Sequence, residues 1–387
     1  MRLPTAVVAS CLAAAPVFAQ TAPPRFSMDW EALAKRIVEQ LALTKGETFL
    51  ALSHPGKFEE LIPYLRYEVM KAGAVDLGVM PVLAEPVPEN WDERTLQNGG
   101  RVARENLRAM LEGVDASIML PGAVPGQPAY AAIQDLLRAG KGRTIHFHWL
   151  DNGSVFPLPG QPLPPRYEIE ALYQRAVLET DYEALADHQK RFEAAIRNAE
   201  IRVTDPAGTD IRFRIGDRPV NRQDGDASKA RGERGVILID REVELPAGAV
   251  RVAPLEETVQ GLIVFPISQW SGHPVEGLKL VFERGKVVSI EASQGREWAE
   301  KEIESAGDAG RSFREIALGF NPILAVPEAN PWIPYYGYGA GVVRLSLGDN
   351  SELGGKVTGG YVRWNFFVDT TVEVGGDVWV RDGKLVQ

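Results

Sequence analysis

The sequence predicts two parts: an α/β half built on a mostly parallel sheet, followed by a β-rich α+β half. Three observations carry that expectation. Up to about residue 150, short apolar runs alternate with segments of helical period, the pattern of a parallel sheet covered on both faces. After Ile201 the pattern changes to short strands of period two joined by turns. Between the halves, residues 152–165 are rich in Pro and Gly and read as a linker. With 387 residues the chain has room for two domains. The predicted division is a leader at 1–19, an α/β domain at 20–166 and a β-rich domain at 167–387.

In chain order, Asp29 is placed to cap a helix whose apolar positions are Trp30, Leu33, Ile37 and Leu41. Strands are expected at 48–52, 75–83, 116–120 and 144–150, with helices at 57–71, 93–111 and 130–138. A helical region covers 167–199. Short strands at 202–204 and 210–215 flank an Asp205-Pro-Ala-Gly turn. Another pair, 278–282 and 287–292, flanks Arg284-Gly285. Residues 221–235 are charged and turn-rich, which predicts an exposed or mobile loop. Near the end, 341–347 and 361–368 alternate as strands. Val343, Leu345 and Leu347 share one face, opposite Arg344 and Ser346. In the second strand Val362, Trp364 and Phe366 share a face, opposite Arg363 and Asn365.

Composition narrows the class. Apolar residues make up 45% and charged residues 24%, ordinary values for a globular protein. The formal net charge of −10 disfavours nucleic acid or an anionic membrane as partner. Only the N-terminus approaches the apolarity of a membrane segment, and it reads as an export signal. Arg2 supplies a positive start, residues 3–18 are mostly small and apolar, and Val17-Phe18-Ala19 suits cleavage before Gln20. The one cysteine, Cys11, lies inside that signal, so the expected mature chain has neither disulfide nor thiolate chemistry. No G-x-G-x-x-G, Walker or G-x-S-x-G pattern follows a predicted strand, so nucleotide binding and a serine triad lack support.

A frame of motifs runs through the second half. It consists of Leu245-Pro246, Val250, Ala253-Pro254 and Gly261, then Glu315-Ile-Ala-Leu-Gly319, Asn321-Pro322, Leu345-Ser-Leu-Gly348 and a terminal strand carrying Trp364. With it the sequence resembles the aminopeptidase T family of metallo-aminopeptidases. That family sets metal ligands on the frame: a Glu in the Leu-Pro segment, a Glu before a Gly, a His, a Tyr and a His-x-Asp pair. Here only Glu315 is kept. The Leu-Pro segment continues Ala247-Gly248-Ala249, and Arg344, Ser351 and Arg363-Trp364-Asn365 stand at the other positions. The resemblance implies the two-domain fold, a cleft in the second domain and a homodimer.

Glu315, expected on a short helix, is the candidate catalytic acid or base; an exposed Glu paired with a neighbouring Arg is the plainer reading. Arg344, Arg363, Asn365 and Ser351 are candidate ligand-binding residues. Guanidinium has no free lone pair and stays protonated, so it cannot ligate a metal, but it binds carboxylate or phosphate through paired donors. Two ordinary strand-surface arginines are the alternative. Tyr335 and Tyr336 belong to an aromatic loop, 331–339, suited to stacking on an organic ligand or to a dimer contact. His146 and His148 fall on one strand face without a visible third ligand, which favours a structural role. His188 reads as a packing residue on its helix.

The function expected from these residues is binding, with or without hydrolysis, of a small anionic ligand or peptide without metal or cofactor. In that reading the chain is an exported pseudoenzyme or a variant hydrolase. A metal-dependent aminopeptidase with other ligands is one alternative. A dihydroxypyridine-dioxygenase-like enzyme is another, because those enzymes look like this fold, although Arg363-x-Asn365 replaces their iron-binding His-x-Asp. Export is directly testable: N-terminal sequencing of protein from its native cell is expected to start near Gln20. An uncleaved chain in the cytoplasm would refute it.

Overall fold

The computed structural model describes residues 26–82, 90–150, 153–235 and 237–387; the predicted leader and Cys11 lie outside them. Alternating apolar runs become a five-stranded sheet in the order Val75–Pro81, Thr48–Ser53, Ala116–Met119, Arg143–Phe147, Glu242–Leu245. All four pairings are parallel. Its fifth strand comes from the second half of the chain.

Strand alternation sorts this sheet's side chains to two sides. Phe49, Ala51, Ile145 and Phe147 point into a core shared with helix Trp30–Leu41 and with the C-terminal sheets. Leu50, Leu52 and Met119 point the other way, against Tyr130, Ile133 and Leu137 of helix Pro128–Arg138. Asp29 caps the first helix as expected, its Oδ1 accepting from the Ala32 amide at 3.0 Å. The helical region 167–199 divides into Arg166–Leu178 and Tyr182–Ile196, because Asp181 caps the second helix through the Ala184 amide.

Beyond Ile201 the chain forms two antiparallel sheets. One has eight strands; the other has strands in the order Val362–Arg363, Val343–Gly348, Phe313–Gly319, Ala249–Val252, Val220–Arg222. Gly319 ends the Glu315 strand where an added Cβ would lie 2.0 Å from the Gly339 carbonyl oxygen. That close approach brings the aromatic loop against the strand.

Three expectations change. Glu315 lies on the wholly buried strand Phe313–Gly319, not on a helix, because that run is the sheet's central strand. Residues 221–235 are not an exposed loop. Asn221 and Gln223 are fully buried, and Arg231 pairs with Asp224 at 3.0 Å, so the charges there satisfy one another. The predicted strand 361–368 breaks into Val362–Arg363 and Phe366–Phe367.

A buried ion pair ties the first helix to the parallel sheet. Arg143 on the fourth strand donates to Glu47 Oε1 and Oε2 at 2.8 and 3.0 Å, and also to the carbonyls of Leu41 and Ala227. Burial alone would raise the Glu47 pKa, but Arg143 and the Thr44 amide take it from 4.5 down to about 2. Its stabilising contribution is therefore complete above the unfolded value and disappears as pH falls toward about 2. Arg143→Ala is expected to cost about 3–5 kcal/mol at neutral pH. Urea unfolding at pH 7 and pH 3 checks this; the gap between the two proteins should narrow in acid, and an unchanged gap would overturn it.

Candidate functional site

The antiparallel sheet presents a charged row on one face. Pairing sets Arg251 opposite Ala317 and Ala317 opposite Arg344, so a small residue separates two large cationic ones. Glu315 lies two residues before Ala317 on the same strand and faces Ser346. Arg251 Nε and Nη2 each lie 3.3 Å from Glu315 Oε2, and Ser346 Oγ donates to Oε1 at 3.2 Å. Arg344 Nη2 stands 2.9 Å from Glu315 Oε1, and Arg314 Nε 3.8 Å from it. Glu352, from the turn Ser351–Leu353, accepts from Arg251 Nη2 at 2.7 Å and also from Arg314.

Glu315 is fully buried, and burial alone would push its pKa up. The charges of Arg251, Arg344 and Arg314 overcome that penalty and hold it well below the usual carboxylate range. The group is therefore an anion near neutral pH. As it stands it is a poor proton donor and a weak base.

Arg344 is only partly satisfied. It is 2% exposed, and its Nη1 donates to the Tyr336 carbonyl at 3.2 Å. Its Nε and Nη2 make no aligned hydrogen bond with the described residues, although Nη2 is close enough to Glu315 to pair by charge. The Trp364 ring lies over this guanidinium at 5.1 Å. Arg344, Trp364, Tyr336, Tyr338, Arg251 and Glu352 form one wall of a cavity of about 190 Å³.

The opposite wall comes from the parallel sheet. His146 and His148 follow one another on the face toward helix Pro128–Arg138, with ring centroids 3.6 Å apart. Glu242 and Glu244 lie on the neighbouring strand, and His146 pairs in register with Glu244. The Tyr338 hydroxyl donates to Glu244, which stands 3.9 Å from both His148 Nε2 and Arg251 Nη1. Burial, aided by the Arg251 charge, lowers the His148 pKa well below the usual value, so this ring is neutral.

The candidate residues thus separate. Arg344 and Tyr336 line the cavity, and Glu315, which does not, pairs with Arg344. Tyr335 is buried behind Tyr336, packed against Tyr173 and Tyr338. Arg363 does not face Glu315. Antiparallel register sets Arg344 opposite Phe366 and Leu347 opposite Arg363, so Trp364 takes the cavity face and Arg363 the other. There Arg363 binds Glu302 at 2.7 Å and stacks on Trp270 at 3.4 Å. Asn365 follows it, accepting from Arg363 Nε and donating to the Leu345 carbonyl. Ser351 is exposed and bonded to Asp349; its neighbour Glu352 reaches the arginines instead. His188 packs on Phe320 at 5.0 Å.

Arg251, Glu242 and Glu244 are additional site residues. Their signal was period-two alternation in Glu242-Val-Glu-Leu245 and Ala249-Val-Arg-Val252, which sets the charges on one face and the aliphatics in the core.

Residues 179–325 match the sequence model of the thermophilic metalloproteases, M29, which is the aminopeptidase T family. Wild-type AmpT from Thermus thermophilus has the same fold, at TM-score 0.57 and 17% identity over 92% of this chain and 99% of that one. So does a 2,5-dihydroxypyridine dioxygenase from Pseudomonas putida KT2440, at TM-score 0.63 and 14% identity over 92% and 96%. No curated protein sequence matches.

The residues around Glu315 do not fit the divalent metal that this family implies. A cation beside Glu315 would meet the guanidiniums of Arg251, Arg314 and Arg344, none with a lone pair to offer. Among the described residues no group of three His, Cys, Asp or Glu is placed to hold one. Replacing Glu315 by Gln leaves the guanidiniums short of a counter-charge, so Glu315→Gln is expected to destabilise by about 3–5 kcal/mol. Denaturant unfolding at neutral pH reads this directly, and a cost below about 1 kcal/mol would contradict the central role given to the carboxylate.

Proposed function

We propose that this aminopeptidase-T-like chain binds a small organic anion, a carboxylate or short peptide, through Arg344 instead of a metal. One observation supports the reading above others. A buried guanidinium with two donors lacking aligned partners lines a cavity, under a tryptophan ring. Leaving such donors unmade is costly, and a ligand carboxylate would satisfy them with charge-assisted bonds. Trp364 and Tyr336 supply flat apolar surface for the rest of the molecule. Glu242 and Glu244 on the far wall suit a positively charged group, so a zwitterionic amino acid or peptide matches both ends.

The test is calorimetric titration of chelator-treated protein with N-acetyl amino acids, short dicarboxylates and dipeptides. At least one class should bind. Arg344→Ala should weaken it about 10- to 100-fold, matching about 1.5–3 kcal/mol for a hydrogen bond to a charged group. Arg344→Lys keeps the charge but loses the fork, and is expected to bind poorly too. Arg363→Ala should bind as the parent does. Two tightly held metals per chain by elemental analysis, with binding lost on their removal, would return the metal-dependent aminopeptidase reading to first place.

A further inference from the structure

The wall opposite Arg344 holds a hydrogen-bonded chain that ends in an unused base. Gln134 Nε2 donates to Glu242 Oε2 at 3.0 Å, and the Tyr130 hydroxyl donates to Glu242 Oε1. The same hydroxyl oxygen lies 2.7 Å from His146 Nδ1. Since the phenol proton is directed to the carboxylate, the oxygen is left to accept. Nδ1 is therefore the donor, and in the neutral ring Nε2 holds the lone pair. That Nε2 is buried and has no partner among the described residues, on a residue 7% exposed. A buried acceptor without a donor is costly and calls for an explanation, a catalytic role among them.

Groups of both charges face His146. Tyr130 faces it from the helix Pro128–Arg138, and Glu242 Oε1 stands 3.5 Å from Nδ1. Glu244 is its register partner, and His148, held neutral, stacks on it. From the antiparallel sheet, Arg251, Arg344, Glu352, Tyr336 and Tyr338 line the same cavity. His146 and Arg344 thus line one small cavity.

We propose that His146 is the general base of a metal-independent hydrolase acting on a small amide that carries a carboxylate, with Tyr130 and Glu242 as positioning residues. The inference rests on the reading that Arg344 holds the ligand's carboxylate. His146 Nε2 takes a proton from water as the water oxygen bonds to the amide carbon, and the carbonyl π pair moves onto its oxygen. The Arg251 and Arg344 guanidiniums supply positive charge to that oxyanion. The carbonyl then re-forms, the C–N bond breaks, and the imidazolium proton passes to the leaving nitrogen. The products are an acid and an amine, and His146 is restored without oxidant or metal.

The experiment follows hydrolysis of dipeptides and N-acetyl amino acids by chelator-treated full-length protein, with carboxylate binding measured in parallel. Expected is hydrolysis that resists chelator. His146→Gln should lower kcat at least 100-fold, the scale of general base catalysis, while ligand affinity stays within about threefold. Tyr130→Phe should lower kcat with KM little changed. Nitrogen-15 NMR of the parent protein should find the His146 proton on Nδ1 and none on Nε2, and Tyr130→Phe should erode that preference. Carboxylate binding without any hydrolysis would sink this proposal and leave the binding reading intact; loss of both would remove the two together. An Nε2-protonated His146, or a fully active His146→Gln, would also overturn it.

Discussion

Glu315 is the charge around which the second half of the molecule is arranged. It is a carboxylate with no contact to water, and it is tolerable there because guanidiniums from its own strand and both neighbouring strands surround it. Without it, Arg251 and Arg344 would repel across the single alanine between them. With it, the row is fixed in place, and Glu352 completes the compensation from a surface turn. A buried cluster of this kind contributes little net stability, because desolvation consumes most of the Coulomb gain. What it does contribute is a fixed orientation for Arg344.

That orientation matters because the cavity lies between two sheets of different origin. Its cationic and aromatic wall belongs to the antiparallel sheet, and its His and Glu wall belongs to one face of the parallel sheet. The fold is shared with AmpT and with a 2,5-dihydroxypyridine dioxygenase, and a shared fold does not by itself fix the chemistry of the site.

Much of the fold was legible in the sequence, since strand and helix periods differ and the first half keeps them distinct. The strands at 48–52 and 116–120 and the helices at 93–111 and 130–138 emerged within about two residues of their expected bounds. The site was legible only in part. Alternation showed that Trp364 and Arg363 take opposite faces, but which of them faces Arg344 depends on register with a strand elsewhere in the chain. Glu315 looked helical because charged residues precede it; its burial depends on strands that local sequence does not reveal. Arg251 and Glu244 escaped notice for the same reason: each alternates correctly, but only the assembled sheets make their faces a cavity.

The returning strand Glu242–Leu245 gives the protein a definite order of assembly. When the first half leaves the ribosome, the edge of Arg143–Phe147 has unpaired amides and carbonyls, a template for any passing strand. That edge closes only after the linker, both following helices and the first antiparallel hairpin have been made. The two halves are therefore not independent modules that happen to touch. A fragment ending at the linker would carry a sticky sheet edge and would also lack Glu242 and Glu244, so the step that seals the sheet is the one that supplies the histidines with their partners.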